Sequence, residues 1–154
     1  MDVLLAASED QARQASLQAA QAIRDTARDL LSLQHHDRGT KTPSAPGEPP
    51  AMISGSLWAS MTAEMMTADE AWVGPTSSAS SYNGPYGRIQ ELGGLMEGRP
   101  WMRWFEDGKW HRAQEVFLPD REYLEPATRW EVDSGRVWEI YAEHQTEAIL
   151  EATG

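Results

Sequence analysis

The sequence predicts an α+β fold with a long N-terminal helix, a small antiparallel β-sheet with a projecting β-hairpin, and a C-terminal helix packed on the sheet. Three observations predict this class. Small and apolar side chains recur at spacings of three and four through residues 8–34, which is the period of a helix. Two aromatic-rich segments flank Asp107-Gly108, a strong hairpin turn signal. Pro126 precedes a second helical pattern, and proline favours the first turn of a helix.

Composition limits the domain organisation and the partners. The 154 residues are 40% hydrophobic, so we expect a single α+β domain over residues 1–154. Cysteine is absent, which excludes disulfides and thiolate metal sites, and no apolar run is long enough to span a membrane. We therefore expect synthesis in a reducing cytoplasm, without a secretory signal. The net charge of −11 argues against a surface that grips nucleic acid.

The first helix is predicted over residues 8–34. Ser8 and Gln11 form a capping-box pattern at its start. One face carries mostly alanine: Ala12, Ala15, Ala19, Ala22, Thr26, Leu30 and Leu33. Because alanine buries little area, this face suits close approach to another helix or subunit.

Residues 35–53 form a Pro/Gly-rich segment. Its prolines and glycine are Pro43, Pro46, Gly47, Pro49 and Pro50. Proline fixes φ and lacks an amide donor, which favours an extended conformation. The segment is either an ordinary linker or an extended arm that reaches another subunit.

A strand pair is predicted over residues 58–66 and 70–73, with a turn at 67–69. Residues 76–84 form a polar loop. Residues 86–92 fit either a third strand or a short helix.

Residues 96–119 are predicted as an inserted aromatic β-hairpin, with strands at 99–105 and 110–118. Its aromatic residues are Trp101, Trp104, Phe105 and Trp110. In an alternating strand these side chains point to both faces, which one small domain cannot cover. Aromatics with Met and Arg are typical of protein interfaces. The alternative is that one face packs against Trp130 and Trp138 of the last helix.

The C-terminal helix is predicted to begin at Pro126. Its buried face is predicted to comprise Trp130, Val137, Tyr141, His144 and Ala148. Gly135 lies within the pattern and predicts either a kink or a break.

Sequence motifs for catalysis or metal binding are weak. His35-His36-Asp37 has ligand residue types, but adjacent side chains on a loop diverge. No nucleophile elbow or phosphate-binding loop occurs, and Glu106-Asp107 falls at a hairpin tip. We expect no catalytic activity, no cofactor and no metal.

Three short motifs follow one another along the chain. They are Pro-Gly-x-Pro-Pro at 46–50 with Ser54-Gly55-x-Leu57, then Tyr86 ahead of Glu91 and Gly93, then Tyr-Leu-x-Pro-Ala at 123–127. Their order and spacing resemble the signature of phage neck and tail-completion proteins, which lie at the head–tail junction of long-tailed bacteriophages. Residues 95–119 depart from the family pattern, in which the glycines are followed closely by the Leu-x-Pro-Ala motif.

The resemblance implies the same α+β architecture and a structural role in the virion, with no enzymatic activity. It implies a ring of copies, six by analogy, that joins a connector or head-closure protein to the tail tube or tail terminator while DNA passes through. It fits tail completion, tail termination and head closure alike. The interface residues it suggests, together with the aromatic hairpin, are Pro43, Pro46, Gly47, Pro49, Pro50, Leu57, Trp101, Trp104, Phe105 and Trp110.

The same resemblance assigns structural roles to Gly55, Tyr86, Glu91, Gly93, Leu124 and Pro126. Glu91 is expected to pair with an arginine, Arg88 or Arg99. The alternative function is a small non-enzymatic binding module that uses the aromatic hairpin to hold a peptide or a glycan.

Overall fold

The computed structural model describes residues 2–40, 44–67, 69–76, 83–106 and 108–153. Side chains are described for these residues except 2–7, 83–85 and 104–106. The elements are α1 (Asp2–Leu31), α2 (Ser56–Ser60), β1 (Met61–Met65), β2 (Ala71–Pro75), α3 (Asn83–Leu92), β3 (Gly94–Glu106), β4 (Lys109–Leu118), α4 (Leu124–Asp133) and α5 (Arg136–Thr153). The α+β class is confirmed, with a long N-terminal helix and a helical C-terminus. The strands form two separate antiparallel pairs, β1–β2 and β3–β4, rather than one sheet.

Helix α1 is longer at its start and shorter at its end than the predicted 8–34. It begins at Asp2 because residues 2–7 are rich in leucine and alanine, which continue a helix readily, so Ser8 lies inside the helix. It ends at Leu31, where the amide of Ser32 donates to the carbonyls of Arg28 and Asp29. Leu33, predicted on the buried face, is 69% exposed.

Two apolar clusters lie along α1. The larger contains Ala27, Leu31, Leu57, Met61, Tyr123 and Ala127. The smaller contains Ala15, Ala19 and Ile140. Helix α1 therefore supports both halves of the structure, with α2, β1 and α4 at one end and α5 at the other.

The C-terminal helix is broken in two and packs on α1 instead of on the sheet. Gly135 has a φ of 85° and separates α4 from α5, which resolves the choice between kink and break. The small side chains of Ala15 and Ala19 let α5 approach closely enough to bury Ile140 completely. Trp130, predicted to be buried, is 68% exposed, because Ala127 and Glu131 take the inward positions of α4.

The predicted strand 58–66 begins as a helix. Gly55 adopts a φ of 71°, and the single-turn helix α2 follows it, burying Leu57 and Ser60. Strand β1 starts only at Met61 and pairs with β2, with Ala63 opposite Val73. The chain reverses between them, with the amide of Met66 donating to the carbonyl of Glu70, where the turn 67–69 is predicted; Ala68 of that turn lies outside the described residues. Residues 86–92, left open between strand and helix, belong to α3, which begins at Asn83. The end of the predicted loop 76–84 is therefore helical, and residues 77–82 of it lie outside the described residues.

The Pro/Gly-rich segment folds back on its own chain and is not an extended arm. Gly47 N–H donates to the carbonyl of Asp120, at 3.2 Å, and Met52 N–H donates to the carbonyl of Gln34, at 2.8 Å. Ser44 accepts a hydrogen bond from the amide of Ala51 at 2.7 Å. The segment folds back because buried polar groups need hydrogen-bond partners. Ser44 is only 5% exposed, and the returning chain supplies its partner, the amide of Ala51.

The β3–β4 hairpin projects from the helical body. Among the described residues, β3 and β4 pack chiefly against each other, while α5 packs against α1 and α4. The pairing places Leu95 opposite Phe117 near the base, and it shifts register between Glu97 and Met102. Asp107 of the predicted turn lies outside the described residues, and Gly108 has a φ of 77°.

Candidate interaction site

The predicted arm residues lie in different environments. Pro46 and Gly47 are exposed at the tip of the folded segment, Pro49 is half-buried and Pro50 is buried. Pro43 lies outside the described residues. The segment is fastened by Arg121, which is 7% exposed and donates from Nε to the carbonyl of Ser44 at 3.0 Å. The surface that this segment offers to a partner is therefore the tip around residues 45–48.

Four of the predicted residues line one cavity. It has a volume of about 270 Å³ and lies between the end of α1, the loop 50–55, helix α2 and Tyr86. Pro50, Gly55, Leu57 and Tyr86 all contribute to its lining. Trp58 also lines it, and Arg28 stacks over the Trp58 ring with its guanidinium carbon 4.9 Å from the ring centroid. The cavity is apolar for the most part and open to solvent.

Glu91 caps helix α4 from a distance in sequence. Its Oε2 accepts hydrogen bonds from the amides of Tyr123 and Leu124, at 2.9 and 3.0 Å, and its Oε1 accepts one from Glu125, at 2.8 Å. Pro126, the next residue, has no amide to satisfy. Helix α4 has no side-chain cap from its own N-cap residue, so Glu91 supplies the negative charge that favours a helix start. The predicted pairing of Glu91 with Arg88 or Arg99 is wrong: the ion pairs between described side chains include none of these residues, and the carboxylate accepts from backbone amides instead.

Tyr123 is the centre of the larger apolar cluster. Its side chain is fully buried, and its hydroxyl has no hydrogen-bond partner among the described residues. Burial, together with the charge of Glu91 and the nearby Tyr86, holds the pKa of the Tyr123 phenol well above its ordinary value. A Cβ atom at Gly87 would lie 2.8 Å from this hydroxyl, so Gly87 allows α3 to approach Tyr123.

Replacing Tyr123 by phenylalanine is expected to leave stability unchanged or to raise it by about 1 kcal/mol. The substitution removes a buried hydroxyl that pays for desolvation without making a hydrogen bond. Urea denaturation followed by circular dichroism measures the difference. Tyr141→Phe is the matched control, because the Tyr141 hydroxyl lies 2.8 Å from Ser16 Oγ and its loss should destabilise the protein. A Tyr123→Phe protein less stable than Tyr141→Phe would contradict the assignment of an unpartnered hydroxyl.

The aromatic hairpin presents tryptophan to solvent. Trp101 is 46% exposed and Trp110 is 74% exposed. The side chains of Trp104 and Phe105 lie outside the described residues, although their backbone positions in β3 face His111 and Trp110. Trp130 and Trp138 are also exposed and lie on α4 and α5, so the alternative that the hairpin packs against them within one chain is wrong.

His144 of α5 forms hydrogen-bonded contacts with α1. The sequence predicts this residue only as part of the buried face of the last helix. The ring nitrogens of His144 lie 2.7 Å from the amide oxygens of Gln11 and Gln18. Glu147, on the same helix, places its Oε2 3.8 Å from Nδ1 of His144. The two glutamine amides lie on the neighbouring helix, so the arrangement joins α1 and α5. Spacing along one helix cannot reveal such a cluster, because its members are more than 120 residues apart.

Metal-binding geometry is not found within the described residues. No group of three or more His, Asp or Glu side chains in that part of the chain could hold a metal ion. His35 and Asp37 are exposed, and the backbone of His35 pairs with Met52 in an isolated bridge. None of the described helices combines the length and apolarity needed to cross a bilayer.

Comparison of the chain with protein-family models, with curated proteins and with solved structures finds no match. The resemblance to phage neck proteins therefore depends on the three motifs and on what their residues do in the fold.

Proposed function

We propose that this protein is a structural, non-enzymatic subunit of the bacteriophage head–tail junction, where repeated copies form a ring around the DNA path. The observation that carries the proposal is the exposure of tryptophan. All six tryptophans whose side chains are described are between 39% and 74% exposed. Exposed aromatic surface of this kind is typical of surfaces that become buried on assembly.

The motif residues have mechanical roles, which supports a structural function. Gly55 sets the turn into α2, Glu91 caps α4, and Gly93 makes the turn from α3 into the hairpin. The net charge of −11 suits a channel that DNA passes without adhering. The partners proposed with this role are the connector or head-closure protein and the tail tube or tail terminator.

Electron microscopy and native mass of the purified protein across concentration test the proposal. We expect a closed ring with a central opening, with six copies as the resemblance implies. Deletion of residues 42–50 is a poor probe of assembly, because it removes Ser44 and buried Pro50 from the fold. Substitution of exposed residues is the better choice. A monomer at every concentration would contradict the ring.

The second candidate is a small binding module that holds a peptide or glycan on the hairpin. The observation that favours it is the stacking of Arg112 over Trp101, with 5.4 Å from the guanidinium carbon to the ring centroid, on a hairpin that projects from the body. This function predicts a monomer that binds a soluble ligand. Trp101→Ala would then abolish binding on a peptide or glycan array and leave the native mass unchanged.

A further inference from the structure

One face of the hairpin combines two arginines with two tryptophans. Arg103 and Arg112 are directly opposite in the β3–β4 register, so their side chains share a face. Arg112 stacks over Trp101, and Trp110 lies two residues before Arg112 on the same strand, which places both tryptophans on that face. We call these four residues the basic–aromatic face.

The basic–aromatic face is electrostatically unbalanced. Like charges directly opposite each other on a strand pair are destabilising. None of the ion pairs formed between described residues involves Arg103 or Arg112, and both side chains are exposed. An anionic partner would offset the repulsion between the two arginines. If the same partner also covered the exposed indole rings, burial of their apolar surface would stabilise the contact.

The outer side of α5 has the complementary character. Trp138, Ile149 and Leu150 are each more than 60% exposed there, opposite the buried Ile140. Glutamates recur every fourth residue along the helix, at Glu139, Glu143, Glu147 and Glu151. Like charges at this spacing repel each other, and α5 contains one basic residue, Arg136, against four glutamates. We call Trp138, Glu139, Glu143, Ile149 and Leu150 the acidic–apolar face.

We propose that the basic–aromatic face of one copy docks on the acidic–apolar face of a second copy. The two faces are complementary both in charge and in aromatic content, and neither covers the other within one chain. Because the two surfaces are different, the contact is head-to-tail, and each copy keeps one face free for the next copy. Such a contact gives a ring when the rotation closes and a filament when it does not. The expectation that the contact closes into a ring rests on the proposed function. The contact between the two faces does not depend on it.

A second copy is favoured over DNA as the occupant. The exposed arginines and tryptophans also suit a nucleic acid backbone. The remainder of the chain, however, carries the whole net charge of −11, since residues 94–118 contain four basic and four acidic residues. A DNA duplex bound to the hairpin would be repelled by the negative charge of the rest of the protein. Helix α5 of another copy instead supplies both carboxylates for the arginines and apolar side chains for the tryptophans.

Charge reversal on each face tests the contact. The hairpin variant is Arg103→Glu with Arg112→Glu, and the helix variant is Glu139→Arg with Glu143→Arg. Arg13→Glu with Arg38→Glu is the matched control, since both residues are exposed and the change in charge is the same as in the hairpin variant. Light scattering across concentration is expected to show self-association of the wild type and of the control, weakened by added salt. Each of the other two variants should lose at least about 100-fold in association constant.

Mixing the two variants distinguishes a head-to-tail contact from a symmetric one. The hairpin variant keeps its α5 face, the helix variant keeps its hairpin face, and the two reversed faces are again opposite in charge. An equimolar mixture should therefore recover the assembly that neither variant forms alone, whereas a symmetric contact between two like faces would be lost in only one of the variants. All four reversals in one chain should restore self-association. Circular dichroism checks that each variant folds. Arg103→Gln with Arg112→Gln, which removes the charge without reversing it, replaces the hairpin variant if that protein unfolds.

The outcomes separate this contact from the proposed function. A wild-type monomer at all concentrations overturns both. A ring that survives both reversals overturns the contact and leaves the neck function standing. A filament that both reversals abolish supports the contact and contradicts the neck function. Loss of binding to labelled duplex DNA in the hairpin variant, with native mass unchanged, assigns the arginines to phosphate and overturns the contact.

Discussion

Replacing Gly93 by alanine is expected to lower the free energy of unfolding by about 3 kcal/mol, through backbone strain and overpacking together. Gly93 has a φ of 60°, a conformation that a residue with a Cβ adopts at a cost. The added Cβ would lie 2.7 Å from the amide nitrogen of Asp120 and 2.8 Å from the carbonyl oxygen of Leu118. Both atoms belong to the backbone, so neither can rotate away as a side chain would.

Gly135→Ala separates the two contributions to the Gly93 effect. Gly135 also has a positive φ, 85°, but a Cβ there would meet no atom within 4 Å. Its replacement should therefore cost only the conformational part, about 1 kcal/mol. Urea denaturation of both variants gives the comparison. Equal losses at the two positions would show that the space around Gly93 adapts, against the close approach described above.

The elements best predicted from the sequence are those fixed by local chemistry. The turn at 67–69 and the hairpin about Gly108 depend on residues adjacent in the chain, and both are present where the pattern indicates them. The break in the C-terminal helix was one of two outcomes allowed by Gly135. Helix–strand ambiguity at residues 86–92 persists in the sequence because a seven-residue segment with few apolar side chains satisfies neither period strongly.

The predictions that failed depend on contacts between distant residues. Arg121 fastens the Pro/Gly-rich segment to the body from 77 residues away, and proline spacing contains no information about it. Helix α5 lies on α1 because Ala15 and Ala19 offer a shallow surface, although the pattern of α5 alone would suit a sheet equally well. Gly87 was missed as a packing residue for the same reason, since its role depends on the position of Tyr123.

The sequence predicts which residues of the candidate site are important, but not which groups they contact. The motif that contains Glu91 indicates that the residue matters, yet its expected partner was an arginine. A carboxylate near a helix start satisfies up to three backbone amides, and only the tertiary arrangement of α3 and α4 reveals that it does so here. The exposure of the tryptophans could be expected for the hairpin, where both faces carry aromatics, but not for Trp130.

Replacing Glu91 by alanine is expected to lower the free energy of unfolding by about 2–3 kcal/mol. The amides of Tyr123, Leu124 and Glu125 would lose their acceptor, and α4 has no local cap to replace it. The loss should extend to the larger apolar cluster, because Tyr123 is held at the start of α4 and packs against Leu57 and Ala27 within it. Hydrogen exchange of the α4 amides and urea denaturation together measure both effects.

Glu91→Gln and Arg88→Ala distinguish the capping role from a surface ion pair. Glutamine keeps one acceptor oxygen but places an NH₂ group near an amide donor. The free energy of unfolding of Glu91→Gln should therefore lie between those of the wild type and Glu91→Ala. Arg88 is exposed, and its truncation should change the free energy of unfolding by no more than about 0.5 kcal/mol. If Arg88→Ala instead matched Glu91→Ala in magnitude, the carboxylate would be acting through the arginine. Because three amide hydrogen bonds already converge on Glu91, we expect the two losses to differ at least fourfold, by the magnitudes given above.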